Sequence, residues 1–267
     1  MPILHIAIVA LIQGITEFLP ISSSGHLILL PNLTGLADQG QAMDVAVHVG
    51  TLGAVMLYFR QDVGRVLAGL PKVVRREIDD QNAWLALCLI ISTIPVIIAG
   101  LVMKATGLDH AVRSIAVVAW ATIIFGLVLL WADRTGGHDR DAESWSLKHA
   151  LIMGLWQVIA LIPGTSRSGI TITGARQLGY KRHDAARLAM LMSIPAILAS
   201  GLLLSVEVAA EMNTALARDA AIGATFAFVA ALGALHFMMR LLRSVSFTPY
   251  VIYRMILGIV LLVIAYT

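Results

Sequence analysis

Six runs of mostly apolar residues, at about 43–59, 83–103, 114–132, 185–206, 220–239 and 249–266, leave this chain few ways to fold. A helix that crosses a bilayer needs roughly 20 such residues, and only a helix or a closed barrel satisfies its own backbone there. Too little polar sequence lies between the runs to build a large soluble domain. Of the 267 residues, 58% are hydrophobic and 13% charged, with a mean hydropathy of +0.85. Soluble domains carry about 25% charged residues. The expected fold is a single all-α integral membrane domain over 1–267, with membrane lipids as neighbours and no nucleic-acid partner. Cys88 lies inside an apolar run and reads as a packing residue.

Two shorter apolar runs, 3–19 and 147–162, end in segments rich in Pro, Gly and Ser. They read as re-entrant helix-loop-helix segments rather than spans, because irregular backbone at membrane depth survives only where protein or a cavity surrounds it. No basic segment precedes the first run, and Glu17 stands where a leader peptide would need small residues, so the opening residues are expected to belong to the mature fold. Gln13, Ser22, Ser24 and Gly25 recur as Gln157, Ser166, Ser168 and Gly169, each 144 positions later. Each half then holds one re-entrant segment and three spans. Three is odd, so the second half enters from the opposite face. The chain is therefore expected to form inverted repeats, 1–133 and 147–267, giving six transmembrane helices plus two re-entrant segments. Broken helices in such architectures place sites near the midplane.

Lysines and arginines set the orientation. Apart from Arg167 and Arg254 inside the membrane zone, one face receives Lys104, Arg113 and Arg218 and the other receives all the rest. The basic face is cytoplasmic by the positive-inside rule. Both termini then face outward, and 60–82 reads as an interfacial amphipathic stretch on the cytoplasmic side.

The chemistry concentrates in Gln13–His26 (QGITEFLPISSSGH) and Pro163–Thr171 (PGTSRSGIT). An ionisable group at bilayer depth costs about 2.5–3.5 kcal/mol on insertion scales and usually marks a functional site. Gln13 and Glu17 are four apart and share a helix face. Pro20 stops that helix, and Ser22, Ser23 and Ser24 fall where a half-helix would begin. Helix N-termini bind phosphate or carboxylate through unpaired N–H groups and the dipole. Gly25 would admit close backbone approach, and His26 follows one turn in. In the second stretch Ser166 and Ser168 flank Arg167, whose planar donor fork suits phosphate oxygens, and Gly169 and Thr171 follow. Together these make an anion cradle, with Glu17 available for base work or metal ligation and His26 for proton transfer.

Each residue also has a plainer reading. Serine, glycine and proline serve tight helix packing in membranes; Glu17 and Arg167 could form a buried salt bridge, and His26 could be a packed histidine. Asp44 and His48, also four apart, lack a phosphate-type context and read as structural. Arg254 is expected to contact carbonyls or a headgroup, while His236 and Met190–Met192 read as packing. Two functions fit the two stretches about equally: hydrolysis of a lipid phosphate, or its translocation by a flippase or transporter using the same midplane site. The trio of Glu17, His26 and Arg167 favours chemistry, since passage of an anion needs no proton shuttle.

The two stretches closely resemble the signatures of the bacitracin-resistance type undecaprenyl-pyrophosphate phosphatases: Glu or Gln, three residues, Glu, then a Pro-x-Ser-Ser-x-Gly-His tail, and Pro-Gly-x-Ser-Arg-Ser-x-x-Thr. Both match without a break, and the resemblance extends over essentially the whole chain. It implies an enzyme of the bacterial inner membrane that removes one phosphate from a polyprenyl pyrophosphate lipid to recycle the carrier for peptidoglycan synthesis. It also implies a divalent cation, Mg²⁺ or Ca²⁺, and an active site open to the outer face. Glu17, His26, Ser166 and Arg167 would belong to the catalytic set, with Gln13 and Ser23 beside it. Gln13 stands where some relatives have Glu. It cannot act as a base and is a weaker metal ligand, so more of that work falls to Glu17. The nucleophile stays open among Ser23, His26 and a water, and the sequence carries nothing that decides between a monomer and a homodimer.

Overall fold

A computed structural model describes residues 1–35, 39–209 and 213–267. The described residues form helices and connecting turns, without a β-strand. Helices α1 (Ile3–Thr16) and α2 (Ser23–Thr34) make the first hairpin; α3 (Gln41–Tyr58) and α4 (Arg60–Val74) follow, then α5 (Gln81–Thr106), the single turn α6 (Leu108–Ala111) and α7 (Ile115–Thr135). The second half opens with α8 (Leu147–Val158) and α9 (Arg167–Gln177), and continues through α10 (Arg182–Ala209), α11 (Thr214–Leu241) and α12 (Thr248–Tyr266).

Among the described residues five helices, α5, α7, α10, α11 and α12, are each long and apolar enough to cross a membrane. The sixth expected span is α3. It reaches that standard only together with α4, from which it is bent by 90°. The reason lies in its sequence: α3 carries Asp44 and His48, and turns part of its surface toward a polar interior rather than lipid. α4 is the expected amphipathic segment. Its Asp62, 7% exposed, binds Arg187 of α10 at 2.5 and 2.9 Å, and Arg65 reaches Glu143 at 3.0 and 3.1 Å. Gly69 lets α4 lie against the start of α5, where a Cβ would come 2.2 Å from the Asn82 carbonyl oxygen.

The two halves pack in matching ways. α1 lies along α11 and its counterpart α8 along α5, while α3 meets α10 and α7 meets α12. Small residues make these approaches close, as at Gly154, where a Cβ would sit 2.4 Å from the carbonyl of Ser92. α1 and α8, both too short to span, end in polar turns that meet at the centre of the molecule. Both expected re-entrant segments are therefore present as short helix, turn, short helix. Of the residues assigned to packing, Met190, Met192 and Cys88 are fully buried, whereas His236 is exposed and lies edge-on to Tyr58.

Candidate active site

The two turns repeat one local conformation. Ser22 has φ 72° and ψ 99°, and Ser166, its counterpart, φ 68° and ψ 110°. Positive φ is rare for a residue with a side chain and marks strain held by its surroundings. In each turn the N-cap serine hydroxyl lies 3.1 Å from that of the serine two positions on, Ser22 with Ser24 and Ser166 with Ser168. The turns then bond to each other. The Gly164 N–H donates to Ser24 Oγ and Ser168 Oγ donates to the Leu19 carbonyl, both at 3.1 Å. Gly164 has φ +93°, and a Cβ there would meet the Val118 carbonyl oxygen at 2.2 Å, so only glycine suits that position.

Arg254 of α12 locks the assembly. Fully buried, its guanidinium donates to carbonyls of both turns, Pro20, Gly164 and Thr165, and to Ala121 and Thr122 of α7, at 2.9 to 3.4 Å. The expectation that it contacts carbonyls holds, and its site is the junction of the two hairpins.

Glu17 and Arg167, 150 residues apart, form an ion pair through Oε1, with the carboxylate 7% and the guanidinium 20% exposed. Arg167 also donates to the Ser193 carbonyl at 3.4 Å. The other carboxylate oxygen, Oε2, accepts from Gln13 Nε2 at 2.8 Å and from Ser23 Oγ at 2.9 Å. The helix face shared by Gln13 and Glu17 is thus realised, although α1 closes at Thr16, before Pro20. A cavity of about 890 Å³ reaches this group. It is lined by Glu17, Ser22, Ser23, Ser24, Ser166 and Arg167, by apolar side chains of α5 and α10, among them Val96, Leu101, Ala199 and Leu203, and also by the polar Gln41, His48, Lys104, Arg113 and Ser200.

Other expected ligands lie away from the cavity lining. Gly25 faces α12, where a Cβ would touch Leu257 and Leu261 at 3.6 and 3.7 Å. Gly169 makes room for Arg254 and gives its N–H to Ser166 Oγ at 3.2 Å. Ser168 is spent on the Leu19 carbonyl, and Thr171 bonds the Arg167 carbonyl at 2.8 Å. The hydrogen bonds and contacts of these four residues run within and between the turns and to α12. His26 also departs from expectation. Its Nδ1 lies 2.7 Å from the Ser22 carbonyl and its Nε2 2.6 Å from the Tyr253 hydroxyl, with the two rings stacked 6° from parallel. A carbonyl only accepts, so Nδ1 donates and, in the neutral ring, Nε2 accepts from tyrosine. His26 holds the strained Ser22 turn and does not line the cavity.

Sequence reasoning missed two residues here. His48, read as structural, lines the cavity with Nε2 3.8 Å from Glu17 Oε2; its four-residue spacing from Asp44 was the signal available. Tyr253 lies in an apolar run 227 residues from His26 and carried none.

Two hairpins meeting inside a bundle of apolar helices, with a carboxylate, a guanidinium and two half-helix N-termini on a cavity, define an integral membrane protein with a buried polar site. The family model described as bacitracin resistance protein BacA matches residues 6–260, and the chain belongs to that family. It is 66% identical over 267 residues to a protein of Dinoroseobacter shibae and 64% identical to one of Ruegeria pomeroyi, each covered in full, and both are named undecaprenyl-diphosphatase. A protein of Hahella chejuensis with the same name is 48% identical over 264 residues, 98% of each chain.

Proposed function

We propose that this protein is an undecaprenyl-pyrophosphate phosphatase of the bacterial inner membrane, converting the lipid pyrophosphate to monophosphate and inorganic phosphate. Such an activity recycles the carrier of peptidoglycan synthesis and accounts for bacitracin resistance. In this reading 1–133 and 147–267 are inverted repeats, both termini face outward, and the cavity opens to the outer side. The observation that carries the reading is the Ser23–Glu17–Arg167 group on a cavity that also has apolar walls from α5 and α10: the pyrophosphate fits the polar group and the prenyl tail the apolar walls.

The hydrogen bond from Ser23 to Glu17 is the arrangement of a nucleophile and its base. Glu17 takes the Ser23 proton as Oγ attacks the terminal phosphorus and passes it to the bridging oxygen as that bond breaks, releasing lipid monophosphate. Water then attacks the phosphoserine with Glu17 again as base, and the proton passes on to Ser23 Oγ as its bond to phosphorus breaks, giving inorganic phosphate and free Ser23. Arg167 and the positive dipole ends of α2 and α9 stabilise charge on the phosphoryl oxygens, the main source of catalysis in such transfers. The donor set offers a divalent cation the Glu17 carboxylate and the buried Gln13 Oε1, which has no hydrogen-bond partner while the Nε2 of the same amide donates to Glu17. Gln13 and Glu17 would hold Mg²⁺ or Ca²⁺, which would supply charge neutralisation at phosphate oxygens. His26 positions the Ser22–Ser23 turn. Translocation has no observation of its own, whereas a serine hydroxyl seated on a carboxylate serves hydrolysis directly.

The test is phosphate release from a long-chain prenyl pyrophosphate by purified protein, with and without Mg²⁺. Wild type is expected to release phosphate and Arg167→Ala to lose on the order of 10³-fold while staying folded. Headgroup translocation in liposomes without phosphate release would replace hydrolysis by transport.

A further inference from the structure

The cavity lining holds, among the described residues, three fixed cations, Arg167, Lys104 and Arg113, against one carboxylate, Glu17. Arg167 and Glu17 pair with each other, so the surplus positive charge belongs to Lys104 and Arg113. Glu17 is buried, whereas these two cations are exposed. They mark where the cavity meets solvent. On α5, Gly100 faces the second hairpin, where a Cβ would lie 3.8 Å from Leu161 Cδ2. Lys104 follows four residues on, on the same helix face and about 6 Å further along the axis.

Helix ends account for only one of the two. Lys104 stands in the last turn of α5, where a cation suits the negative end of the dipole. Arg113 directly precedes Ser114, the N-cap of α7, at the positive end, where a cation is disfavoured. Charge topology disfavours both. In the orientation read from the lysines and arginines, the outer face receives Lys104, Arg113 and Arg218, and two of those three line this one cavity. Each also engages a neighbouring group and still contributes to the lining.

We propose that Lys104 and Arg113 form an entry subsite for the pyrophosphate group, drawing the anionic headgroup into the cavity and setting KM while the transfer itself proceeds at Ser23, Glu17 and Arg167. The subsite rests on the phosphatase reading and gives that same site a capture element. A cleft that carries one sign of charge between low-dielectric walls focuses its field and raises the local concentration of the opposite ion. Both cations meet water, so each contributes modestly.

The experiment measures initial rates with a long-chain prenyl pyrophosphate in uncharged detergent at fixed Mg²⁺, on wild type, Lys104→Gln, Arg113→Gln, the double variant and Arg218→Gln. Each single change is expected to raise KM about threefold and the double about tenfold, with kcat within about twofold. Arg218→Gln and Lys104→Arg should match wild type. Raising NaCl from about 0.05 to 0.5 M should lower kcat/KM of wild type through screening, and the double variant should lose most of that dependence. Inorganic pyrophosphate as a competitor should lose potency in parallel, because the subsite reads the headgroup and not the tail. An unchanged KM and salt slope, a loss confined to kcat, or unaltered inhibition by pyrophosphate overturns the subsite. If wild type releases no phosphate, the phosphatase reading fails, and calorimetric titration with inorganic pyrophosphate decides the subsite separately: weaker binding by the double variant keeps it, and equal binding removes it.

Discussion

Ser23 donates its hydroxyl proton to Glu17 across 2.9 Å, joining the start of one half-helix to the end of the helix before it. Glu17 is in turn held by Arg167 from the other half of the chain. Removing the carboxylate charge with Glu17→Gln keeps the shape and takes away the base. Turnover is expected to fall by about 10²–10⁴-fold. Ser23→Ala should fall as far, and trapping with labelled substrate should give phosphoserine in wild type only. A Ser23→Ala variant within a few-fold of wild type would make water the nucleophile.

His26 and Tyr253 act through the backbone of Ser22. Tyr253→Phe removes one donor to the imidazole and leaves Nδ1 on the Ser22 carbonyl. It should cost less than about tenfold in kcat, a neutral hydrogen bond being worth about 1 kcal/mol. His26→Ala frees the strained turn and should cost more, while the pH profile keeps its shape. A changed profile, or a loss as deep as that of Glu17→Gln, would bring His26 into the reaction.

Gly164 carries the second turn over the backbone of α7. Gly164→Ala adds a Cβ within 2.2 Å of the Val118 carbonyl oxygen at a backbone angle that side chains avoid. The backbone strain alone is worth about 1–3 kcal/mol, and the clash adds to it. The variant should unfold at a lower temperature in detergent and accumulate poorly; unchanged melting would refute the close crossing.

Glu143 lies outside the spans, and hydrogen bonds from Arg65, with the charges of Arg65 and Arg187, hold its carboxyl below the ordinary value. A depressed carboxyl contributes stability that is present above its unfolded pKa, about 4.3, and lost as pH falls through its folded value. The melting advantage of wild type over Glu143→Gln should therefore be constant above about pH 5 and shrink below it. The effect is small, because the side chain is half exposed and solvent screens it. An advantage that persists at low pH would mean that the contact to α4 is held by packing instead.

Much of this was legible from local sequence. The lengths of the apolar runs, the prolines, the serine clusters and the four-residue spacing are short-range signals, and they located the spans, the hairpins and the Gln13–Glu17 face. Ser22 and Ser166 share one strained conformation because the same Ser-x-Ser-Gly composition recurs at each. Gly25, Gly169 and Thr171 lie outside the cavity lining for a related reason: a motif names residues that make a site, without saying where each one sits in it.

By itself the sequence determined an all-helical membrane protein with two buried polar turns, since backbone groups in lipid must be satisfied within the helix and polar residues there must be turned inward. Only the tertiary structure decided that Glu17 pairs with Arg167, that His26 turns to Tyr253 and that His48 faces the carboxylate. These partners lie on different helices, and which side chains meet depends on how the helices cross. Close crossings such as that at Gly154 and the five carbonyls gathered by Arg254 set that geometry, and nothing in the spacing of residues along one helix encodes it.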